Sequence, residues 1–178
     1  MRRIVLTFGL IAGAILSAMM LLTLPFHDRI GFDRALVVGY TTMVLAFLMV
    51  FFGVKSYRDN VADGSVTFGR AVKVGLLITA VGTICYVATW QVVYHRFAPD
   101  YLDKYAAYKV EKARESGATE AQIAEESKKM AEFKEMYENP LVNIALTFLE
   151  PLPVGIVFTL VTAGVLSRKR RVEVEAIA

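Results

Sequence analysis

Glu150 is the side chain with the most chemical potential. It stands in "LTFLEPLPVGIVFTL", residues 146–160, inside the last long hydrophobic run, and Pro151 and Pro153 follow it. A carboxylate in apolar surroundings can pair with a cation, carry a proton or help to hold a ligand. The prolines each remove a backbone donor and free a carbonyl that needs another partner. Side chains able to join Glu150 lie at the ends of other hydrophobic runs: His27 and Arg29 after the first, Gln91, His95 and Arg96 at the end of the third. Three uses follow from these types: a structural ion pair, a ligand or proton site, or a metal site with the two histidines. No zinc-binding spacing supports the last. No nucleophile elbow, phosphate loop or pair of carboxylates at catalytic spacing is present, so an enzyme is the least favoured class and no cofactor or metal is expected.

The elements that must position these residues are hydrophobic. Of the 178 residues 56% are hydrophobic, with mean hydropathy +0.48, and the excess falls in blocks. A bilayer core of roughly 30 Å takes about 20 apolar residues in a helix. Ile4 to Leu24, Ala35 to Val54 and Val74 to Tyr94 qualify without a charge, and Leu141 to Leu166 qualifies with Glu150 alone. The reading is all-α: an integral membrane four-helix bundle, one domain over 1–171 with a short tail at 172–178. The first run is too long for a typical signal peptide and lacks a small-residue cleavage site before the polar segment. A single cysteine, Cys85, excludes an intrachain disulfide. The net charge of +3 is too small and scattered for nucleic acid.

Basic residues set the expected orientation. Arg2 and Arg3, then Lys55, Arg58, Arg70 and Lys73, then Arg168, Lys169, Arg170 and Arg171 flank one side, which puts both termini in the cytoplasm. These residues serve as positive-inside anchors on lipid headgroups. Arg29 and Arg34 in the first loop oppose the rule, offset by Asp28 and Asp33. Between His95 and Pro140 lie eight basic and ten acidic residues, expected as an extracytoplasmic helical hairpin over about 97–139. Gly117 marks a helix stop, and Thr119 with Gln122 forms a capping-box pattern. Ser65 or Thr67 is positioned to cap the third span. Counting back about 20 residues from Arg168 places the outer boundary near residue 148. Glu150, Gln91, His95, Arg96 and His27 are then expected together as a polar cap at the outer end of the bundle.

Small residues recur every four positions: Gly9, Gly13 and Ser17 in the first span, Gly155, Thr159 and Ala163 in the last. They allow close helix approach, within the bundle or in a homo-oligomer. Tyr86, Trp90 and Tyr94 share one helical face, with Trp90 and Tyr94 near the outer interface.

The stretches "FFGVKSYRDN", "GSVTFGRAVKVGL", "CYVATWQVVY", "YENP" and "TFLEPLPVGIVFTL", in this order, resemble the bacterial membrane-protein family catalogued as domain of unknown function 4199. The resemblance covers nearly the whole chain and rests on the combination of stretches. It implies a bacterial inner-membrane protein and carries over no activity, cofactor or catalytic residue. The expectation is therefore a non-enzymatic accessory or structural membrane protein. Its partners would be the lipid bilayer and a protein or second copy met through the hairpin or the small-residue stripes. The alternative is a small-solute or proton-coupled transporter, or a subunit of one, using Glu150.

Overall fold

The computed structural model describes residues 1–24 and 30–167. His27, Arg29 and the basic stretch from Arg168 to Arg171 lie outside the described residues. The described chain is helical: α1 (Arg2–Thr23), α2 (Phe32–Asn60), α3 (Phe68–Arg96), α4 (Tyr101–Glu115), α5 (Glu120–Glu138), α6 (Pro140–Leu149) and α7 (Leu152–Leu166). Four segments are long and apolar enough to cross a membrane: α1, α2, α3, and α6 with α7 as Pro140–Leu166.

The long helices bury a narrow apolar seam. Met43, Phe47 and Val50 of α2 and Val74 and Ile78 of α3 are essentially inaccessible. The opposite faces are just as apolar and stay open, with Leu22 and Val37 each 64% exposed and Val161 60%. A water-soluble fold rarely leaves so much apolar surface uncovered. A bilayer would cover it and would leave packing, rather than hydrophobic transfer, to hold the helices together.

That packing uses the small-residue stripes. A methyl group built on Gly9 would lie 2.6 Å from Val81 Cβ, and one on Gly13 2.5 Å from Cys85 Cβ. Ser17 Oγ lies 2.7 Å from Thr89 Oγ1. The whole α1 stripe is thus seated on α3. On the other side of α3, a methyl on Gly75 would lie 2.7 Å from Thr159 Cγ2, and one on Gly155 would collide with Thr79. Ala163 is fully buried as well. Both stripes work inside the bundle, and α3 is the helix they meet on.

Helix ends differ from the apolar runs in an informative way. The second run ends at Val54, yet α2 continues to Asn60. The third run begins at Val74, yet α3 begins at Phe68. Polar helix ends are locally satisfied: Lys55 pairs with Asp59 at 2.9 Å, and Thr67 Oγ1 accepts from the Arg70 N–H at 3.4 Å. Lys55, Arg58, Arg70 and Lys73 therefore stand on helical turns that outrun the apolar runs, rather than in a loop. Asp63 and Gly64, both at positive φ, make the turn between them.

The insert is a pair of packed helices with well-made ends. Gly117, at φ +80°, follows α4. The Ala118 N–H bonds the Ala113 carbonyl at 3.1 Å and the Gly117 N–H that of Arg114 at 3.0 Å, a Schellman closure. Thr119 and Gln122 form the expected capping box at the start of α5. Asn139 ends α5 and also caps α6, accepting from the Leu141 N–H at 3.0 Å, with Pro140 at the first helical position. Lys134 of α5 pairs with Asp103 of α4.

The fourth span bends without unwinding. Glu150 and Pro151 both keep right-handed helical dihedrals between α6 and α7. The prolines remove two rungs from the hydrogen-bond ladder, and Pro151 is buried on the inner side.

Candidate functional site

The polar residues of α3 lie in successive turns, and each meets a different neighbour. Tyr86 donates its hydroxyl to Glu150 Oε2 at 2.9 Å. One turn on, Trp90 Nε1 donates to Tyr137 Oη at 2.9 Å, and Gln91 Nε2 donates to Asn143 Oδ1 at 2.7 Å. Asn143 is 2% exposed, so Gln91 satisfies a side chain that water does not reach. Thr147 Oγ1 bonds back to the Asn143 carbonyl at 2.8 Å. His95 Nδ1 lies 2.8 Å from the carbonyl oxygen of Gln91, on its own helix.

The expected single polar cap is therefore a ladder, and Glu150 is its deepest rung. Tyr86 lies ten residues before the end of α3, about 15 Å along the axis at 1.5 Å per residue. With the end of α3 at the edge of a hydrocarbon core of roughly 30 Å, that level would be near mid-depth. Asn143, paired with Gln91, precedes Glu150 by seven residues, about 10 Å along the helix. Counting from Arg168 puts the boundary near residue 148, and α6 begins ahead of it, at Pro140. Glu150 meets a phenol, whereas the expected partners were cations. Arg96 is exposed at the last residue of α3. Glu150 and His95 belong to different levels, and no group of three His, Cys, Asp or Glu side chains able to hold a metal occurs among the described residues.

The same residues line a cavity of about 1000 Å³. Its walls are the second half of α1, the first half of α2 and the last turns of α3, with Glu150 on one side. α4 closes it as a roof. Phe32 at the start of α2 sits among Tyr101, Tyr105 and Tyr108, with ring centroids 5.8, 5.3 and 5.0 Å away. Asp33 accepts from Tyr108 Oη and from Lys112 Nζ, each at 2.6 Å. Bonding to this carboxylate holds the Lys112 ammonium above its ordinary range. At the other end of the roof Tyr101 packs edge-on to Trp90 at 5.0 Å, and burial pushes its phenol upward. Tyr137 of α5 packs edge-on to Tyr94 at 5.6 Å.

Several of these residues escaped the sequence reading. Asp33 reads in the sequence only as an offset to Arg29 and Arg34, and nothing in the sequence singles out Asn143. Tyr101, Tyr105 and Tyr108 follow i, i+4, i+7 spacing, a readable aromatic face. What they would meet was not readable, because Phe32 lies far away in sequence.

Chemically, the arrangement offers one carboxyl group, a phenol bonded to it and an aromatic-walled space beside both. It can bind a cation or pass a proton. No curated protein and no solved structure matches the chain. The profile of one family, described as "Protein of unknown function (DUF4199)", matches residues 7–168 and so runs through all four spans and the insert. The chain belongs to this DUF4199 family.

Proposed function

We propose that the protein is a non-enzymatic accessory or structural component of a bacterial inner membrane, multi-pass, with both termini in the cytoplasm. The α4–α5 pair is its extracytoplasmic contact surface. The observation that carries this reading is the two-sidedness of the pair. Its aromatic side, with Tyr101, Tyr105, Phe133 and Tyr137, is used against the bundle and the cavity. Its other side is charged and exposed, with Glu125, Lys128, Lys129 and Glu132 in successive turns. The orientation is supported by Lys55, Arg58, Arg70 and Lys73 gathering where α2 ends and α3 begins.

Cross-linking in native membranes tests the surface. A stoichiometric complex should form with the unaltered protein and be lost in a Lys128→Glu/Lys129→Glu variant of equal thermal stability. A complex indifferent to these reversals, or none at all, rejects it. Orientation is read with Ser116→Cys in a Cys85→Ala background: an impermeant thiol reagent should label it in intact cells, and labelling only after lysis reverses the topology.

A second reading, a small-solute or proton-coupled transporter subunit, is favoured by Glu150 standing at mid-depth beside a cavity. In proteoliposomes loaded with a pH-sensitive dye, proton flux should then fall with Glu150→Gln. Equal flux from the variant removes the reading.

A further inference from the structure

We propose that the cavity beneath α4 is a binding site for an organic ammonium ion with an apolar body. Glu150 supplies the counter-charge, and the aromatic side chains around it supply the surface that holds the cation.

The argument begins with charge. A carboxylate within a span is costly unless a positive group, a proton or water meets it. Among the described residues Glu150 bonds to the neutral hydroxyl of Tyr86 and forms no ion pair. The lysines that line the cavity lie on the roof and have other engagements. Lys112 is held by Asp33, Lys104 is 3.1 Å from Asp100, and Lys109 lies over the Tyr105 ring at 5.9 Å from its centroid. The positive charge that matches Glu150 can come from an occupant.

The walls narrow the class. Tyr86, Trp90, Tyr101, Tyr105 and Tyr137 all line the space with Glu150. Electron-rich ring faces attract cations, and clusters of them favour weakly hydrated ammonium groups. A metal ion of the calcium or magnesium type needs several oxygen ligands; Asp33 and Asp100, the other carboxylates lining the space, are engaged by Lys112 and Lys104, and no metal-holding group of three occurs among the described residues. The volume of about 1000 Å³ also exceeds what a bare ion fills. Leu16, Met20, Leu36 and Met43 also line the space and give the hydrocarbon part of an amine a place to lie. A carboxyl together with methionine and leucine matches a molecule that is cationic at one end and apolar at the other.

The site needs neither a partner protein nor a transport cycle, so it stands or falls separately from both readings above. Trp90, the one tryptophan of the chain, lines the cavity and reports on it directly. Benzyltrimethylammonium is titrated into the full-length protein in neutral maltoside micelles, and Trp90 fluorescence is followed. A saturable change is expected with the cation and none with benzenesulfonate, an anion of similar size. Glu150→Gln should weaken binding at least tenfold, with Glu150→Asp between the two. No saturation, equal binding of the sulfonate, or full affinity in a folded Glu150→Gln variant would overturn the proposal. If that variant folds poorly, calorimetric titration of the unaltered protein with the cation and the sulfonate decides by charge selectivity alone.

Discussion

Tyr86 and Glu150 are joined across the bundle: the phenol of α3 donates to the carboxyl at the bend of the fourth span, 2.9 Å away. The bond ties the one carboxyl of the fourth span to the helix against which both α1 and α7 pack. Tyr86→Phe removes the donor and leaves the carboxyl without it. Glu150 is exposed in the described chain, so losing such a bond costs about 0.5–1.5 kcal/mol. Thermal unfolding in detergent should show a clear drop in Tm. Glu150→Gln keeps an acceptor for Tyr86 and should cost less. The double variant should cost less than the sum of the two, since they share one interaction.

The crossing of α3 and α7 has no room for a methyl group at Gly155, because Thr79 occupies that space. Gly155→Ala should destabilise by about 1–3 kcal/mol through overpacking. Thr79→Ala removes the obstructing γ atoms, so adding it should recover part of the loss. If Gly155→Ala leaves Tm unchanged, the close approach is not what sets the crossing.

Thr83 is fully buried, and its Oγ1 lacks a hydrogen-bond partner among the described residues. An unmet hydroxyl carries a desolvation cost that a methyl group of the same shape does not. Thr83→Val should therefore hold Tm or raise it slightly. A fall of several degrees would mean that the hydroxyl has a partner after all.

The roof is fastened to α2 by Asp33, Tyr108 and Lys112. Asp33→Ala should speed amide hydrogen exchange in α4 while leaving the core of α3 protected. The pH dependence follows from Lys112, whose folded pKa is raised from 10.5 by its bond to Asp33. The contribution is fully present below the ordinary lysine pKa and is lost as pH rises through the higher folded value. Exchange in α4 should thus be insensitive to loss of the ammonium at neutral pH, once intrinsic rates are allowed for. Extra opening should appear only in strong alkali.

Much of this architecture could be read from residues in order. The four apolar runs, the Thr119–Gln122 box, the Gly117 stop and the glycine stripes are local signals, and each sits where its chemistry requires. Depth was less legible. The level of Glu150 depends on where α6 starts, and that is set by Asn139 and Pro140 acting together as cap and first turn. Partners across the fold were least legible. Nothing near Trp90 announces Tyr137, and nothing near Phe32 announces three tyrosines of α4, because those meetings depend on how α4 and α5 lie over the bundle.

A single residue, Asn139, separates α5 from α6, and a proline bend separates α6 from α7. α6 is therefore a ten-residue connecting rod with a joint at each end. Its outer joint is anchored to the insert, and its inner joint carries Glu150. A tilt of the insert over the bundle would push or pull that rod along its axis and shift the carboxyl against Tyr86. The insert thus connects to Glu150 through helix and two joints, with no slack loop between them.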